Sequence, residues 1–373
     1  MGKETAGPLK LLRETHEQRV IAALRTQGAL TRAQLAEQTR LSRATLSVII
    51  QSLLARQAVT ESFPDETDGP VVRGRGRPVS RLTLNAAGGL ALGLDLGHRR
   101  IQVTIANVAH EIVASDSVPC AERTPWPRRV KLALDLVDEL TSRHELSLGT
   151  LAGVGVGMVG PVPTGRNLVL SGRPAEVRDA VSERFGVPVQ LDNNTRLAAL
   201  AEALWGAGAG FGSALYLRLS YGVGGGLVLG GRLLAGATGA AGELGHISVD
   251  RDGPECPCGG RGCLERYVAL ATLLERCGNL LEAQSPQAHD LLTEAGTRIG
   301  EVLAAACNTL NPEVVIIGGE LADTGDHLLD PLNATLRRYT HAQVHKNLKV
   351  TRAALGADAA ARGGIALVLT SPN

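Results

Sequence analysis

Aromatic residues make up only 2% of the 373 residues. Proteins that grip single-stranded nucleic acid stack its bases on exposed rings, so this scarcity excludes a stacking platform. Lysine is nearly missing as well, with 5 Lys against 33 Arg. That imbalance points to a GC-rich genome and carries nothing about ligand. No apolar run approaches the ~20 residues that cross a bilayer, so no membrane partner is expected. The opening stretch MGKETAGPLKLLRETHEQRV is polar and charged, unlike a secretory signal. It begins Met-Gly, but Ala6 fills the position where myristoylation favours Ser or Thr. The expected location is cytoplasmic.

What is present divides unevenly. A length of 373 residues implies two to three domains at roughly 150 residues each. The overall charge of +1 conceals a net +5 over residues 1–88, where 13 Lys and Arg face 8 Asp and Glu, and a net −4 beyond. A basic head on a mildly acidic body suggests a nucleic-acid-binding module, although so small an excess also arises by chance.

The head reads as three helices. Val20, Ile21 and Leu24 share one helical face, and Gly28 ends that segment. Thr31 and Gln34 have the spacing of a capping box, with Leu35 and Ala36 turned inward. Ser42 is placed to cap a third helix whose apolar stripe is Leu46, Ile49, Ile50, Leu53 and Leu54. Its other face carries Arg43, Ala44, Ser47 and Gln51. This is the pattern of a helix-turn-helix whose second helix enters the major groove of duplex DNA. Arg43 suits guanine or a phosphate, and Ser47 or Gln51 suit base edges. Thr31, Arg32, Ser42, Ala44 and Thr45 complete the expected contact surface. A packing or dimerisation module with a solvated Arg face is the alternative.

Two short strands, Ala58–Ser62 and Arg81–Asn85, then read as a wing. Between them lies Arg73-Gly-Arg75-Gly-Arg77-Pro. Arginines on a glycine backbone suit the minor groove or phosphates, or else form a solvated basic linker. The DNA-binding domain is therefore placed at residues 1–86, and a chain that carries one is expected to be nucleoid-associated.

From residue 87 the chain becomes Gly- and Ala-rich. Residues 89–106 read strand, glycine turn at Gly97, strand, and residues 214–229 repeat the pattern. Helices are expected near 131–143, 195–205 and 291–308, with a buried strand at Val314–Gly319. Such duplication fits a two-lobed α/β fold with a ligand cleft between the lobes.

The cysteines give the sharpest signal. His246 is followed by Cys256, Cys258 and Cys263, and one His with three Cys makes a closed tetrahedral shell for structural Zn²⁺. With no secretory signal, clustered cysteines favour metal over disulfide. Cys120, Cys277 and Cys307 stand alone and are expected to be ordinary buried residues.

Taken together, the helix-turn-helix, the strand–glycine–strand repeats, GELGHI at 242–247 and CPCGGRGCLE at 256–265 resemble the ROK family of repressors, open reading frames and sugar kinases. The resemblance implies a winged helix-turn-helix joined to an actin-like body, residues 87–373, with a zinc loop at 246–263. It implies sugar hydroxyls held by Asn193, Glu243, His246 and Glu265, with Asn194 alongside. Family kinases carry a catalytic Asp where this chain has Asn194, and an amide cannot accept the sugar's proton. Their first phosphate turn, Asp-x-Gly-Gly-Thr-Lys, is here Asp95-Leu-Gly97-His98-Arg99-Arg100. Their second, Gly-Thr-Gly, is here Ser220-Tyr221-Gly222. The expectation is a non-enzymatic, sugar-responsive repressor, acting as a homodimer or tetramer on an inverted-repeat operator. A sugar kinase with a DNA-binding head, or a regulator controlled by a protein partner, are the competing readings.

Overall fold

In a computed structural model the described residues are 16–63, 80–164, 170–278 and 285–370, apart from short gaps at 18, 22, 25–26, 56–57, 86–88 and 109. Arg73, Arg75, Arg77 and the boundary expected at 86–87 lie outside the described residues. Among the described residues no helix is long and apolar enough to cross a membrane.

The head is built as its patterning requires. Thr31 caps the helix Arg32–Thr39, with the reciprocal Gln34 bond present. The helix Arg43–Ala55 follows, its first turn capped by Ser42 Oγ accepting from Thr45 N at 3.1 Å. Leu46, Ile49, Ile50 and Leu53 are buried, together with Val20, Ile21, Leu24 and Leu35, while Leu54 is only partly covered. A two-residue strand, β1 (Leu30–Thr31), was not anticipated by the pattern. The expected hairpin forms from β2 (Val59–Ser62) and β3 (Arg81–Leu84), and β1 pairs with the other side of β3. Leu30 and Leu82 face each other in that register, which roots the hairpin in the helical core.

The body holds two sheets of the same design. In each, a hairpin comes first: β4 (Leu90–Leu96) with β5 (Arg100–Asn107), and β9 (Ser213–Leu219) with β10 (Val223–Leu229). An antiparallel edge strand extends each hairpin: β6 (Ile112–Pro119) beside β5, and β11 (Arg232–Leu233) beside β10. Parallel strands join the other edge. In the first sheet these are β7 (Leu151–Met158) and then β8 (Val189–Asn193). In the second they are β12 (Val314–Gly318) and then β13 (Lys349–Arg352). The orders β6-β5-β4-β7-β8 and β11-β10-β9-β12-β13 thus correspond strand for strand. The duplication expected from the glycine turns is one of topology. Six consecutive residues of β4 are buried, Ala91–Leu96, as for a strand covered on both faces.

Helix Trp126–Arg143 covers the first sheet, and helices Pro286–Leu310 and Asp326–Tyr339 cover the second. Helices Asn194–Trp205 and Ala359–Thr370 join the lobes. Here glycine serves close approach. A Cβ on Gly363 would fall 1.9 Å from Leu197 O, and one on Gly93 would fall 2.0 Å from Ala361 O. At the far end of the helix Ala359–Thr370, Leu369 reaches the core of the head beside Val108.

Candidate functional site

The two turns that head the hairpins face each other. In the first, Gly97 makes the tight bend, and the turn is held from beneath by Arg129. That side chain is 4% exposed and gives its hydrogen bonds to backbone oxygens. It donates to Gly97 O, to Glu122 O at 2.6 Å, to Thr124 O at 2.9 Å and to Ala121 O at 3.2 Å. Nothing in the sequence marks Arg129 apart from its charge within an amphipathic helix. In the second turn, Ser220 N donates to Gly222 O at 3.1 Å and Val223 N donates to Glu265 Oε2 at 2.8 Å. The Arg99 guanidinium lies over the Tyr221 ring, 3.8 Å from its centroid, and so closes one turn on the other.

Asp95, at the end of β4, is buried. Burial pushes its carboxyl above the usual range, against the pull of Arg218 and of the Asn194 hydrogen bond. Asn194 Nδ2 donates to Asp95 Oδ1 at 3.0 Å. Asn194 is therefore a buried amide facing a carboxylate. Its neighbour Asn193 is committed locally: Oδ1 caps the helix by accepting from Thr195 N at 2.9 Å and Arg196 N at 3.2 Å, and Nδ2 donates to Gly160 O at 3.0 Å. Close by sits a buried ion pair, Asp192 with Arg196, at 3.3 Å. Burial pushes the Asp192 carboxyl up to about 6 although Arg196 draws it down.

The loop after β11 carries the remaining candidates. Glu243 precedes a 3₁₀ turn, Leu244–His246, and its Oε2 lies 3.8 Å from His246 Nε2. The other ring nitrogen, Nδ1, lies 3.6 Å from Cys256 Sγ. Cys258 and Cys263 sulfurs are 3.6 Å apart, and the ligand atoms of all four residues lie within 4.8 Å of one another. Sulfur and nitrogen atoms at those separations fit a tetrahedral ion with bonds of about 2.1–2.3 Å. The loop can double back because Gly262 adopts φ +63° and packs on Asp250 O, where no side chain fits. Backbone bonds Leu264 N to Ile247 O and Val249 N to Gly262 O bring the cluster beside Glu265. Of the isolated cysteines, Cys120 and Cys307 are buried as expected, and Cys277 is partly exposed.

In the head, Arg43, Ala44 and Gln51 are exposed, and Ser47 is partly so. Arg43 makes no hydrogen bond or ion pair among the described residues. Arg32 is instead turned toward the hairpin, where it pairs with Glu61 at 3.1 Å. Ser80 and Arg32 hold the Glu61 carboxyl below its ordinary range. Ser42 and Thr45 satisfy each other, their hydroxyls 2.8 Å apart. Val48 is 51% exposed on the same helix. A stripe argument assigns apolar residues to the core and so misses it.

This arrangement has known counterparts. The xylose repressor of Bacillus spizizenii is 24% identical over 374 residues, covering 96% of this chain and 96% of its own. The DNA-binding transcriptional dual regulator NagC of Escherichia coli is 26% identical, covering 98% of this chain and 95% of its own. The glucokinase of Halalkalibacterium halodurans is 31% identical, covering 76% of this chain and 96% of its own. Among solved structures, a ROK family transcriptional regulator, a homologue of the E. coli Mlc protein, superposes with a TM-score of 0.76 at 22% identity. It covers 96% of this chain and 97% of its own. A ROK hexokinase from Thermus thermophilus matches with a TM-score of 0.63 at 30% identity, covering 74% of this chain and 97% of its own. The profile described as ROK family matches residues 91–371, three-quarters of the chain and both lobes, and so this chain belongs to the ROK family.

Proposed function

We propose that this chain is a sugar-responsive, DNA-binding transcriptional repressor without kinase activity. The observation that carries the proposal is the helix Arg43–Ala55. It buries its apolar stripe and leaves Arg43, Ala44 and Gln51 facing outward. Relatives named as a repressor and as a DNA-binding transcriptional regulator align across the head as well as the body, whereas the glucokinase aligns with 76% of the chain.

In this reading two heads of a homodimer, or of a tetramer, meet an inverted repeat. Arg43 contacts guanine or phosphate, Ser47 and Gln51 contact base edges, and Ala44 packs on the duplex. Thr31, Arg32, Ser42 and Thr45 frame the recognition helix, and Arg73, Arg75 and Arg77 reach the minor groove or the backbone.

A monosaccharide enters the body beside the cysteine loop. Glu243 and Glu265 accept from its hydroxyls, and Asn193 and Asn194 border the site. His246, Cys256, Cys258 and Cys263 hold zinc, which supplies a closed structural clamp on the loop. His246 then presents Nε2 to the sugar while Nδ1 faces the sulfur cluster. Sugar binding favours one lobe arrangement and releases DNA, by no more than the sugar's differential affinity for the two states.

Phosphoryl transfer is lost for reasons of chemistry. Asn194 is an amide already bonded to Asp95 and takes no proton from a sugar hydroxyl. The Arg99–Tyr221 stack puts a bulky contact between the two turns, where the family's kinases are expected to hold phosphate.

The test is selection of an operator from a random duplex pool, then its affinity against a panel of monosaccharides. One sugar is expected to weaken binding about tenfold or more. Phosphoryl transfer from MgATP to any of those sugars, or failure to select a duplex, would overturn the proposal.

A further inference from the structure

Val48 is a large apolar side chain of the head that takes no part in its core. It lies in the middle of the helix Arg43–Ala55 and is 51% exposed. On the helical wheel it stands roughly opposite the buried Leu46 and Leu53. It shares a narrow outward arc with Ala44, Ser47 and Gln51. A valine in that place gives the fold nothing. Its branched β-carbon is restricted in a helix more than Ala or Gln, and no burial offsets the cost. Exposed apolar residues are common singly, so its neighbours decide the meaning. The helix carries no acidic residue, and Arg43 in its first turn has no hydrogen-bond or ion-pair partner among the described residues. An acid-free face with an unpaired guanidinium is complementary to a polyanion. One valine beside one alanine is too little apolar surface to centre a stable protein interface, which buries about 800 Å² on each partner.

We propose that Val48 selects a thymine in the operator by packing on its 5-methyl group. The inference rests on the repressor reading and adds to it the base and the atom that are read. Valine neither donates nor accepts a hydrogen bond, so the nitrogen and oxygen atoms of the base edges gain nothing from it. The C5-methyl of thymine is the apolar feature of the major groove. Cytosine in the same place loses that methyl and sets its N4 amine against valine, where the amine finds no partner and is stripped of water. Ser47 and Gln51 flank Val48 on the same arc and bond the neighbouring base edges. Hydrogen bonding and apolar contact are thus divided between adjacent residues of one helix face.

The experiment uses the full chain and an operator selected from the random duplex pool. Each thymine is replaced in turn by deoxyuridine, which removes the 5-methyl group and nothing else. One thymine in each half-site is expected to be sensitive, its replacement weakening binding about fourfold, the worth of one buried methyl group. Val48→Ala should weaken binding to the unmodified operator about fourfold or more, and should no longer distinguish thymine from uracil at that position. The variant exchanges an exposed residue for a better helix former, so its melting temperature should not fall. If no thymine is sensitive, or if Val48→Ala keeps the full preference for thymine over uracil, the proposal is overturned while the repressor reading stands. If no duplex is selected at all, both are overturned. If Val48→Ala lowers the sedimentation coefficient and the parent chain treats thymine and uracil alike, the side chain serves contact between copies, and the proposal is again overturned.

Discussion

Arg99 of the first hairpin turn stacks on Tyr221 of the second, guanidinium to ring centroid 3.8 Å. Both partners are reachable from solvent, so the contact belongs with exposed cation–π pairs of about 0.5–1 kcal/mol. A double-mutant cycle with Arg99→Ala and Tyr221→Ala should return a coupling of that size in urea unfolding. Strictly additive losses would show that the stack contributes nothing.

The helix Arg43–Ala55 gives a prediction about DNA. Arg43→Ala should weaken operator binding by about 1–3 kcal/mol and relax preference at one base pair, if the contact is to a base. A change confined to the salt dependence would instead mark Arg43 as a phosphate contact. The side chain is exposed, so melting temperature should not move.

Removing one sulfur tests the cluster. Cys258 is the exposed member, and its Sγ lies 3.6 Å from that of Cys263. Cys258→Ser should abolish bound zinc, read by elemental analysis, and lower sugar affinity, because Glu265 follows Cys263 by two residues. Zinc content equal to that of the parent protein would refute the ligand assignment.

Asn194→Asp restores the carboxylate found in the family's kinases. Here it would sit 3.0 Å from the buried Asp95 oxygen that the amide now bonds. Two carboxylates at that distance cannot both ionise cheaply. The variant should melt at a lower temperature, increasingly so at higher pH, and still transfer no phosphate. Measurable sugar kinase activity in it would show that the altered turns remain competent.

Asp192 gives a pH signature. Its carboxyl is raised from 3.8 to about 6 by burial, despite Arg196. The folded chain therefore keeps a proton that the unfolded chain has lost, and this group's contribution to stability falls as pH rises from about 4 to 6. Subtracting the melting temperatures of Asp192→Asn from those of the parent should give a difference that declines across this window. A flat difference would mean that Arg196 holds the carboxylate ionised throughout.

The head and the cysteine loop were legible because local rules govern them. Thr31 with Gln34 and the stripe from Leu46 to Leu53 decide their own helices, and ligand spacing decides the cluster. The hairpins of the body were legible from Gly97 and from the glycines after Tyr221. What stayed hidden depends on partners distant in sequence. Arg129 is pinned by backbone oxygens of two loops, one of them in the β4–β5 turn. Glu202, wholly buried, accepts from the backbone of Ala207, Ala354 and Leu355. Nothing in the composition of either segment distinguishes these residues from surface charge. Asn193 reads as a ligand for sugar, and its helix-capping bonds emerge only with the geometry at the end of β8.

The helix Ala359–Thr370 packs its glycines against strands and a helix made much earlier in the chain. Gly364 sits on Gly155, Gly363 on Leu197, and Ala361 on Gly93. During synthesis from the N-terminus, the head can bury most of its own core, lacking only the late contact of Leu369, while the body still waits for this piece. The first lobe then passes through a period in which the backbones of β4 and β7 are bare where the helix will lie. Folding of this chain is thus expected to be vectorial, with a largely formed head and an open body as the species that chaperones meet.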